Sequence, residues 1–370
     1  MKPSVLHFIE TGIPGGAERF LVDLCRSQMK LGIEPVIAHF AHPYFISATR
    51  EFGIASLTLD NRSDFKKRLR MPRFALHLAR TMRQLNICIM HSHLFGPIVG
   101  GSVAAFLAHI PHVGTLHDIH MIEDEPSRIW QLRASLLLSS QLVAVSRNMT
   151  EFYRKRLRWR ASALTCIPNG IDPPPDTSVV QREGLAIPDG DAIAIIVGRL
   201  VKLKRTADAL RAVAELRNPP ALTLLVVGEG PEREALEALA TSLGIGQRIR
   251  FLGKRDDVPA LLRISDIFLQ CSETEGLSMS IIEALHAGLP CIVSRVGGNP
   301  ELVKDGENGT LFQTGDIPSL RLALESLITD PRRRAQMGAR SRETALEYTV
   351  DSAAQRYCVL YRSLGLQLAP

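Results

Sequence analysis

The stretch Glu275-Gly-Leu-Ser-Met-Ser-Ile-Ile-Glu283 places two carboxylates around a predicted helix start. The apolar run 267–271 before it predicts a short buried strand, and residues 280–287 repeat apolar side chains at helical spacing. Ser278 or Ser280 is suited to cap that helix. The turn after Glu275 is therefore expected to present free backbone N–H groups at the end of a buried strand.

A helix start of this kind binds anions such as phosphate. Glu283, about one turn inside the helix, is placed to accept hydrogen bonds from neutral hydroxyls such as those of a ribose. Glu275, on the loop, is placed to reach a second polyol group. One carboxylate on each side of a phosphate cradle suggests a nucleotide-sugar site.

The segment 275–303 resembles the signature of the retaining GT-B glycosyltransferases of family 4, in which seven residues separate two Glu residues. Ser278 stands where that family usually has Pro, and a serine still suits a helix start. Other matches follow in the expected order: Gly15-Gly-Ala-Glu18, Thr115-Leu-His117, Ala144-Val-Ser146, Pro168-Asn-Gly-Ile-Asp172, Gly198-Arg-Leu200 with Lys204, and Val227-Gly-Glu-Gly-Pro231. The resemblance covers nearly the whole chain.

The length of 370 residues suits two domains, and each half alternates apolar strand patterns with helical patterns. A segment rich in Pro and Gly separates the halves. We predict an α/β fold of the GT-B type, with two facing Rossmann-like domains and a cleft between them. The predicted parts are an acceptor-binding domain (1–172), a linker (173–191), a nucleotide-sugar-binding domain (192–345) and a C-terminal helix (346–370) that returns to the first domain, as the resemblance implies.

The composition, 45% hydrophobic and 22% charged, is that of a globular protein. Six scattered cysteines without a C-x-x-C pair indicate mostly buried free thiols and a reducing cytoplasm. No secretory h-region follows Met1, and the most apolar long stretch, 132–145, is too short to span a bilayer. We expect a cytoplasmic protein, either soluble or peripheral on the inner face of the membrane.

The net charge of +6 is concentrated in two segments of the first half, 62–83 and 154–160. These segments are either solvated helix faces or a surface for anionic lipid, to which each basic side chain contributes about 1 kcal/mol. A phosphate-bearing lipid acceptor would use the same field. Nucleic acid is not expected as a partner, because no recognition motif accompanies the charge.

Arg199 and Lys204 follow the predicted strand 193–197 and lie at the next loop-to-helix junction. A guanidinium fork and a lysine point charge suit a clamp on a leaving diphosphate. Stabilisation of the charge that grows on a leaving group is commonly the largest catalytic contribution. Arg205 stands where the family usually has Gly, which affects the helix start but leaves the charge.

His117 ends a predicted strand, and the resemblance implies that it reaches the transferred sugar. Asp118 is a candidate orienting partner. Without that context a single histidine is more often structural. His117 with His120, or His91 with His93, are candidate metal ligands, but no Cys or carboxylate cluster completes either pair. The only Asp-x-Asp match, 189–191, falls in the linker. We therefore expect no metal and no cofactor other than the nucleotide-sugar co-substrate.

Glycines after predicted strands mark further binding positions, because they permit close backbone approach. The loop 12–16 opens the first helix without matching G-x-G-x-x-G. Gly15 and Glu18 are predicted to contact the acceptor, although Glu18 also suits a purely structural role at the helix dipole. Glu283 and a set of loop residues are predicted to bind the donor: Gly16, Gly198, Gly228, Lys254, Gly276, Leu277 and Ser278.

The leading hypothesis is a retaining glycosyltransferase that moves a hexose from a UDP- or GDP-sugar to a glycan or lipid-linked glycan in polysaccharide biosynthesis. His117, Arg199, Lys204 and Glu275 are its predicted catalytic residues. One alternative is a nucleotide-sugar epimerase or a phosphorylase of the same fold, although no convincing lysine site for pyridoxal phosphate is apparent. Another is a non-catalytic binding subunit. Retention follows from the resemblance alone.

Overall fold

The computed structural model describes residues 2–12, 15–67, 69–172, 179–216 and 221–367. Residues 13–14 of the glycine-rich loop, Arg68 of the first basic segment and residues 173–178 of the predicted linker lie outside these ranges. The chain divides into two compact units. Unit 1 comprises residues 1–172 and 350–370, and unit 2 comprises residues 173–349.

Unit 1 contains a parallel sheet whose strands are β1 (Ser4–Ile9), β2 (Glu34–His39), β3 (Ala55–Thr58), β4 (Ile89–His93), β5 (His112–Leu116), β6 (Ser140–Ala144) and β7 (Leu164–Cys166). The strand order is β3-β2-β1-β4-β5-β6-β7. The order reverses between β1 and β4, and the carboxyl ends of strands at such a point form the usual ligand crevice of an open α/β sheet.

The helices of unit 1 are α1 (Gly16–Lys30), α2 (Pro43–Phe52), α3 (Arg62–Lys66), α4 (Met71–Gln84), α5 (Phe95–Ala108), α6 (His120–Asp124), α7 (Arg128–Leu137), α8 (Arg147–Leu157) and the last helix of the chain, α16 (Val350–Ser363). One layer of the core joins β1 and β4 to α4 and α5 through buried Phe8, Phe74 and Met90. Helix α16 lies against α1, where Ser27 donates a hydrogen bond to Asp351 (2.6 Å).

Unit 2 repeats the architecture with strands β8 (Ala192–Val197), β9 (Leu222–Val227), β10 (Ile249–Gly253), β11 (Ile267–Gln270), β12 (Cys291–Ser294) and β13 (Gly309–Phe312). Its helices are α9 (Thr206–Ala214), α10 (Arg233–Ser242), α11 (Val258–Arg263), α12 (Met279–Ala287), α13 (Asn299–Leu302), α14 (Ile317–Thr329) and α15 (Pro331–Ala345). The parallel order is β10-β9-β8-β11-β12-β13, so the reversal lies between β8 and β11. The strands are apolar runs because helices cover both faces.

Two parallel, Rossmann-like sheets confirm the predicted α/β class. The apolar pattern of the sequence predicts a central strand over residues 87–91, whereas β4 runs from Ile89 to His93. Its last residues are the polar His91, Ser92 and His93, which are fully buried because their side chains have hydrogen-bond partners inside the unit. The edge strand β3 was not predicted, since its short sequence is largely exposed and carries no apolar run.

Candidate functional site

Lys204 and Glu275, two predicted catalytic residues, are in contact in unit 2. Lys204 Nζ donates to Glu275 Oε1 at 2.5 Å, and Ser272 Oγ donates to the same oxygen at 2.6 Å. Lys204 lies after β8 and Glu275 lies after β11, the two strands between which the order reverses. The backbone N–H of Glu273 donates to the Leu203 carbonyl (2.8 Å) and joins the two loops. A cation and a carboxylate are thus fixed where an α/β sheet binds ligands.

The loops after β8, β9 and β10 are joined by backbone hydrogen bonds and need glycine at their contacts. Gly198 donates to the Val227 carbonyl (3.0 Å), and Gly228 donates to the Gly253 carbonyl (2.8 Å). Gly228 has φ +135°, and a Cβ there would lie 1.9 Å from the Gly198 carbonyl oxygen. The predicted donor-binding glycines Gly198 and Gly228 are therefore packed on each other.

Helix α12 begins as the sequence suggests, with Ser278 as its N-cap. The Ser278 hydroxyl accepts from the Ile281 N–H (3.4 Å) and from Gln270 Nε2 (2.7 Å). Gln270 Oε1 in turn accepts from Asn299 Nδ2 (3.1 Å). Sequence reasoning missed Gln270, Asn299 and Ser272, although a polar residue at the end of a buried strand, such as Gln270, was a signal.

The other residues that are predicted to bind the nucleotide-sugar donor differ in their exposure to solvent. Gly276 and Leu277 are buried in the loop before α12, and the Gly276 carbonyl accepts from the Gly298 N–H (3.1 Å). Glu283 is half-buried in the second turn of α12. Arg199 and Lys254 are exposed and stand outside the Lys204–Glu275 contact. This edge of unit 2 therefore combines the Lys204–Glu275 ion pair with exposed cations at neighbouring strand ends.

In unit 1, the predicted acceptor residues Gly15 and Glu18 contact each other. Helix α1 begins at Gly16, and the carboxylate of buried Glu18 accepts from the Gly15 N–H (2.7 Å). Glu18 thus satisfies one donor that a helix start leaves unpaired. This contact realises the structural role considered for Glu18, and its contact with an acceptor stays a prediction.

A cavity of about 220 Å³ lies beyond the carboxyl ends of β1 and β2. Its lining includes Glu10, Thr11, His39 and Arg62. Arg62 and Lys66 both pair with Glu10, at 2.7 and 2.8 Å. The mixed charge and the hydroxyl of the lining suit a polar ligand, because such groups supply both donors and acceptors.

His117 follows β5, with one ring nitrogen held inside unit 1. Its Nε2 lies 3.4 Å from His93 Nδ1, so the orienting partner is His93 and not Asp118. Asp118 instead accepts from the Met121 N–H (3.4 Å) near the start of α6. Burial lowers the pKa of His117 to about 4. His117 is therefore neutral at pH 7.

A group of buried histidines continues from this position. One ring nitrogen from each of His7, His91 and His93 lies within 4.8 Å of the other two, which is a spacing open to a metal ion. Every one of these nitrogens, however, has a hydrogen-bond partner on a described residue. The geometry is that of a hydrogen-bonded network, and the expected absence of a metal stays a prediction.

Acidification is expected to destabilise unit 1. Burial lowers the pKa of His7 and His117 to about 4, lowers that of His112 to about 3, and lowers those of His91 and His93 well below the usual value. The unfolded chain binds these protons near pH 6.5, whereas the folded chain does not. Stability is therefore fully present above pH 6.5 and falls toward pH 4, by about 1.4 kcal/mol per pH unit for each titrating histidine.

Both tryptophans, Trp130 and Trp159, belong to unit 1, so their fluorescence reports its unfolding. Urea unfolding followed by this fluorescence at pH 7 and at pH 5 measures how much the free energy of unfolding falls. A free energy of unfolding that is unchanged or higher at pH 5 would contradict the neutral histidine network.

Known proteins resemble the chain in both units. Residues 14–174 match the family model described as Glycosyltransferase Family 4, and residues 179–344 match that of Glycosyl transferases group 1. The N-acetyl-alpha-D-glucosaminyl L-malate synthase of Bacillus anthracis is 31% identical over 307 residues, which are 78% of this chain and 79% of that protein. The chain belongs to the family 4 glycosyltransferases.

Two further similarities extend over nearly the full length of this glycosyltransferase. The lipopolysaccharide core biosynthesis glycosyltransferase LpsE of Rhizobium meliloti (strain 1021) is 26% identical over 370 residues, covering 98% of this chain and 99% of that protein. The crystal structure of Anabaena HepE in complex with UDP superposes with a TM-score of 0.85 at 24% identity, covering 98% and 100% of the two chains. The GT-B fold that the sequence predicted is thus confirmed.

Proposed function

We propose that this glycosyltransferase is a retaining enzyme that moves a hexose from a UDP- or GDP-sugar to a glycan or lipid-linked glycan in polysaccharide synthesis. The observation that carries the proposal is the contact of Lys204 with Glu275 at the strand reversal of unit 2. LpsE, which acts in lipopolysaccharide core biosynthesis, and HepE, which was crystallised with UDP, support the acceptor class and a nucleotide donor.

The donor binds at unit 2 in this proposal. Arg199 and Lys204 neutralise the diphosphate as its bond to the sugar breaks. Glu283 accepts hydrogen bonds from the ribose, and Glu275 accepts from hydroxyls of the sugar. Lys204 already donates to one oxygen of Glu275, so the pair holds the carboxylate in place for a neutral polyol. The leaving phosphate takes the proton of the acceptor on the face where the new bond forms, and this step retains the configuration.

The acceptor binds at unit 1. The cavity lined by Glu10 and Arg62 supplies the polar contacts for an acceptor, and Gly15 with Glu18 lies at the start of the neighbouring helix α1. His117 positions the transferred sugar and does not act as the base, since its low pKa makes it a weak proton acceptor at pH 7.

The proposed reaction uses no metal ion. The Asp-x-Asp match supplies no paired ligands, because Asp191 accepts from the Thr223 hydroxyl (2.7 Å) and Gly190 has the φ of +84° of a turn. The cations Arg199 and Lys204 supply the positive charge that a divalent ion would bring.

Transfer assays with UDP- and GDP-hexoses test this function. The expected result is acceptor-dependent release of one nucleoside diphosphate, with the donor's anomeric configuration kept in the product, as NMR of the new glycosidic bond reveals. Turnover of the donor without any acceptor would favour an epimerase. Inversion would overturn the retaining mechanism.

We further propose that the protein works at the cytoplasmic face of a membrane through one surface of unit 1. Among the described residues, no helix has the length and apolar character needed to cross a bilayer. The surface consists of exposed cations beside the exposed apolar side chains Trp130 and Leu137, which are 65% and 71% exposed. Its cations are Arg154, Lys155, Arg156, Arg158 and Arg160. Arg133 lies over the Trp130 ring and donates to the Arg156 carbonyl, so the cations and the indole adjoin.

Charge reversal at this surface is expected to weaken binding to anionic vesicles. The variant Arg154→Glu/Arg158→Glu loses two attractive charges worth about 1 kcal/mol each and adds two repulsive ones, so affinity at low salt is expected to fall by more than about thirtyfold. Arg332→Glu/Arg340→Glu in unit 2 changes the net charge equally and is the control, since both arginines are exposed on α15. Vesicle co-sedimentation measures the difference, and equal binding of the two variants would contradict a defined membrane surface.

A further inference from the structure

One face of the unit 1 sheet carries a continuous hydrogen-bonded circuit. The parallel register places His7 beside His91 and His93 beside Thr115, and side chains two positions apart share a face of a strand. Gln28 of α1 contributes to this face, as do Tyr357 and Tyr361 of α16. The participants are therefore drawn from both ends of the chain.

The first branch of the circuit leads from Gln28 to His117. His7 Nε2 lies 2.8 Å from Gln28 Oε1, and His7 Nδ1 lies 3.1 Å from His93 Nε2. His93 Nδ1 lies 3.4 Å from His117 Nε2. A neutral imidazole has one N–H and one lone pair, and an amide oxygen only accepts. His7 therefore donates to Gln28, His93 donates to His7, and His117 donates to His93.

The second branch starts from the amide nitrogen of the same glutamine. Gln28 Nε2 donates to Tyr361 (3.2 Å), whose hydroxyl then donates to His91 Nδ1 (2.6 Å). His91 Nε2 then donates to Thr115 (2.7 Å), and the hydroxyls of Thr115 and Tyr357 lie 2.9 Å apart. No donor meets a donor in either branch. One orientation of the Gln28 amide thus sets the proton positions of the first branch and is compatible with the contacts of the second.

The first branch ends on a hydrogen-bond acceptor, the Nδ1 atom of His117. With its proton on Nε2, His117 presents a lone pair on Nδ1, and this buried atom has no partner among the described residues. An unpaired buried acceptor is costly unless a ligand supplies a donor. Sugar hydroxyls are such donors.

We propose that Gln28, acting through His7 and His93, fixes His117 in the Nε2–H tautomer so that Nδ1 accepts a hydrogen bond from a hydroxyl of the sugar substrate. The identity of that hydroxyl donor rests on the proposed function, whereas the tautomer does not. Gln28, His7 and His93 are positioning residues here, because none of them needs to touch the substrate.

The ¹⁵N shifts of the imidazole nitrogens test the tautomer without any assay of activity. The His117 signals are assigned by their loss in His117→Asn. Wild type is expected to carry the His117 proton on Nε2. In Gln28→Met the His7 N–H would lose its acceptor. Either direction of the first branch then leaves one unpaired N–H and one unpaired lone pair at its two ends, so the bias is lost and His117 is expected to populate both tautomers.

Tyr357→Phe is the matched control. Like Gln28→Met it removes one buried polar group of the circuit, but it does so at the far end of the second branch and is expected to leave the His117 tautomer unchanged. A proton on Nδ1 in wild type would overturn the proposal. So would an unchanged tautomer in a folded Gln28→Met.

The rate of sugar transfer provides a second test of the role of Gln28. Gln28→Met is expected to lower kcat/KM by about twofold, because only the fraction of molecules that keeps a lone pair on His117 Nδ1 then binds the sugar hydroxyl productively. Asn has an amide oxygen near the position of Nδ1 that no tautomer controls, so the effect of Gln28→Met is expected to vanish in a His117→Asn background. An equal effect that persists there would assign Gln28 a merely structural role. If the tautomers follow the prediction while wild type transfers no sugar, the proposed function fails and the circuit stands.

Discussion

Lys204→Met is expected to lower kcat by about 10²–10³-fold, the usual loss when one group that stabilises transition-state charge is removed. Methionine keeps the length and apolar stem of the side chain but removes the charge that faces the leaving diphosphate. Lys202→Met is the control, because Lys202 lies in the same short turn and is exposed. Steady-state kinetics with the identified donor measures the effect, and Lys202→Met is expected to retain wild-type kcat.

Glu275 distinguishes two explanations of that loss. In this structure Lys204 pairs with Glu275, so its removal also leaves a carboxylate that is only 11% exposed with Ser272 as its remaining hydrogen-bond donor. If Lys204 served only to neutralise Glu275, the double variant Lys204→Met/Glu275→Gln would be no more impaired than Glu275→Gln alone. The phosphate role predicts that the double variant stays at least as impaired as Lys204→Met.

Gly297→Ala is expected to lower the free energy of unfolding by about 2–4 kcal/mol, within the range of severe single substitutions. Gly297 has φ +50°, and a Cβ there would lie 1.7 Å from the Glu275 carbonyl oxygen. The chain must then move the loop that carries Glu275, so the Lys204–Glu275 contact is expected to be lost with most of the activity.

Gly306→Ala separates backbone strain from this collision. Gly306 also has a positive φ, +80°, but a Cβ there meets nothing within 4 Å. We expect a loss of about 1 kcal/mol, the cost of a left-handed conformation for one residue, with unchanged activity. Calorimetric unfolding of both variants measures the difference, and equal losses would contradict the close packing of Gly297 on the Glu275 loop.

The strands could be predicted from the sequence wherever their buried side chains are apolar. Strands β8, β9 and β11 are apolar runs covered on both faces, so their positions were predictable. The meeting of Lys204 with Glu275 follows from the same logic, since both residues come after strands at the reversal of the sheet. Strand β4 was displaced by two residues because its end is buried through polar contacts, which an apolar pattern does not record.

The polar networks could not be predicted from the sequence for a related reason. His91 contacts Tyr361 of α16, which lies 270 residues later in the sequence. Gln28 of α1 joins the same network through His7 and Tyr361. His91 and His93 are two positions apart, which indicates that their side chains share one face of the strand. This spacing does not reveal that Gln28 and Tyr361, which are distant in sequence, cover that face. The partners Gln270 and Asn299 of the Ser278 cap are of the same kind.

Calorimetric titration with UDP, GDP and ADP tests whether unit 2 holds the nucleotide site. Wild type is expected to bind one of these nucleotides clearly more tightly than the others. Glu283→Ala is predicted to weaken that binding by about 1.5–3 kcal/mol, the value of a hydrogen bond to a charged group. Glu234→Ala, which removes an exposed carboxylate from α10 of the same unit, is predicted to leave it unchanged. Failure of wild type to bind any of the three, or equal affinities of wild type and Glu283→Ala, would contradict the assignment of the nucleotide site to unit 2.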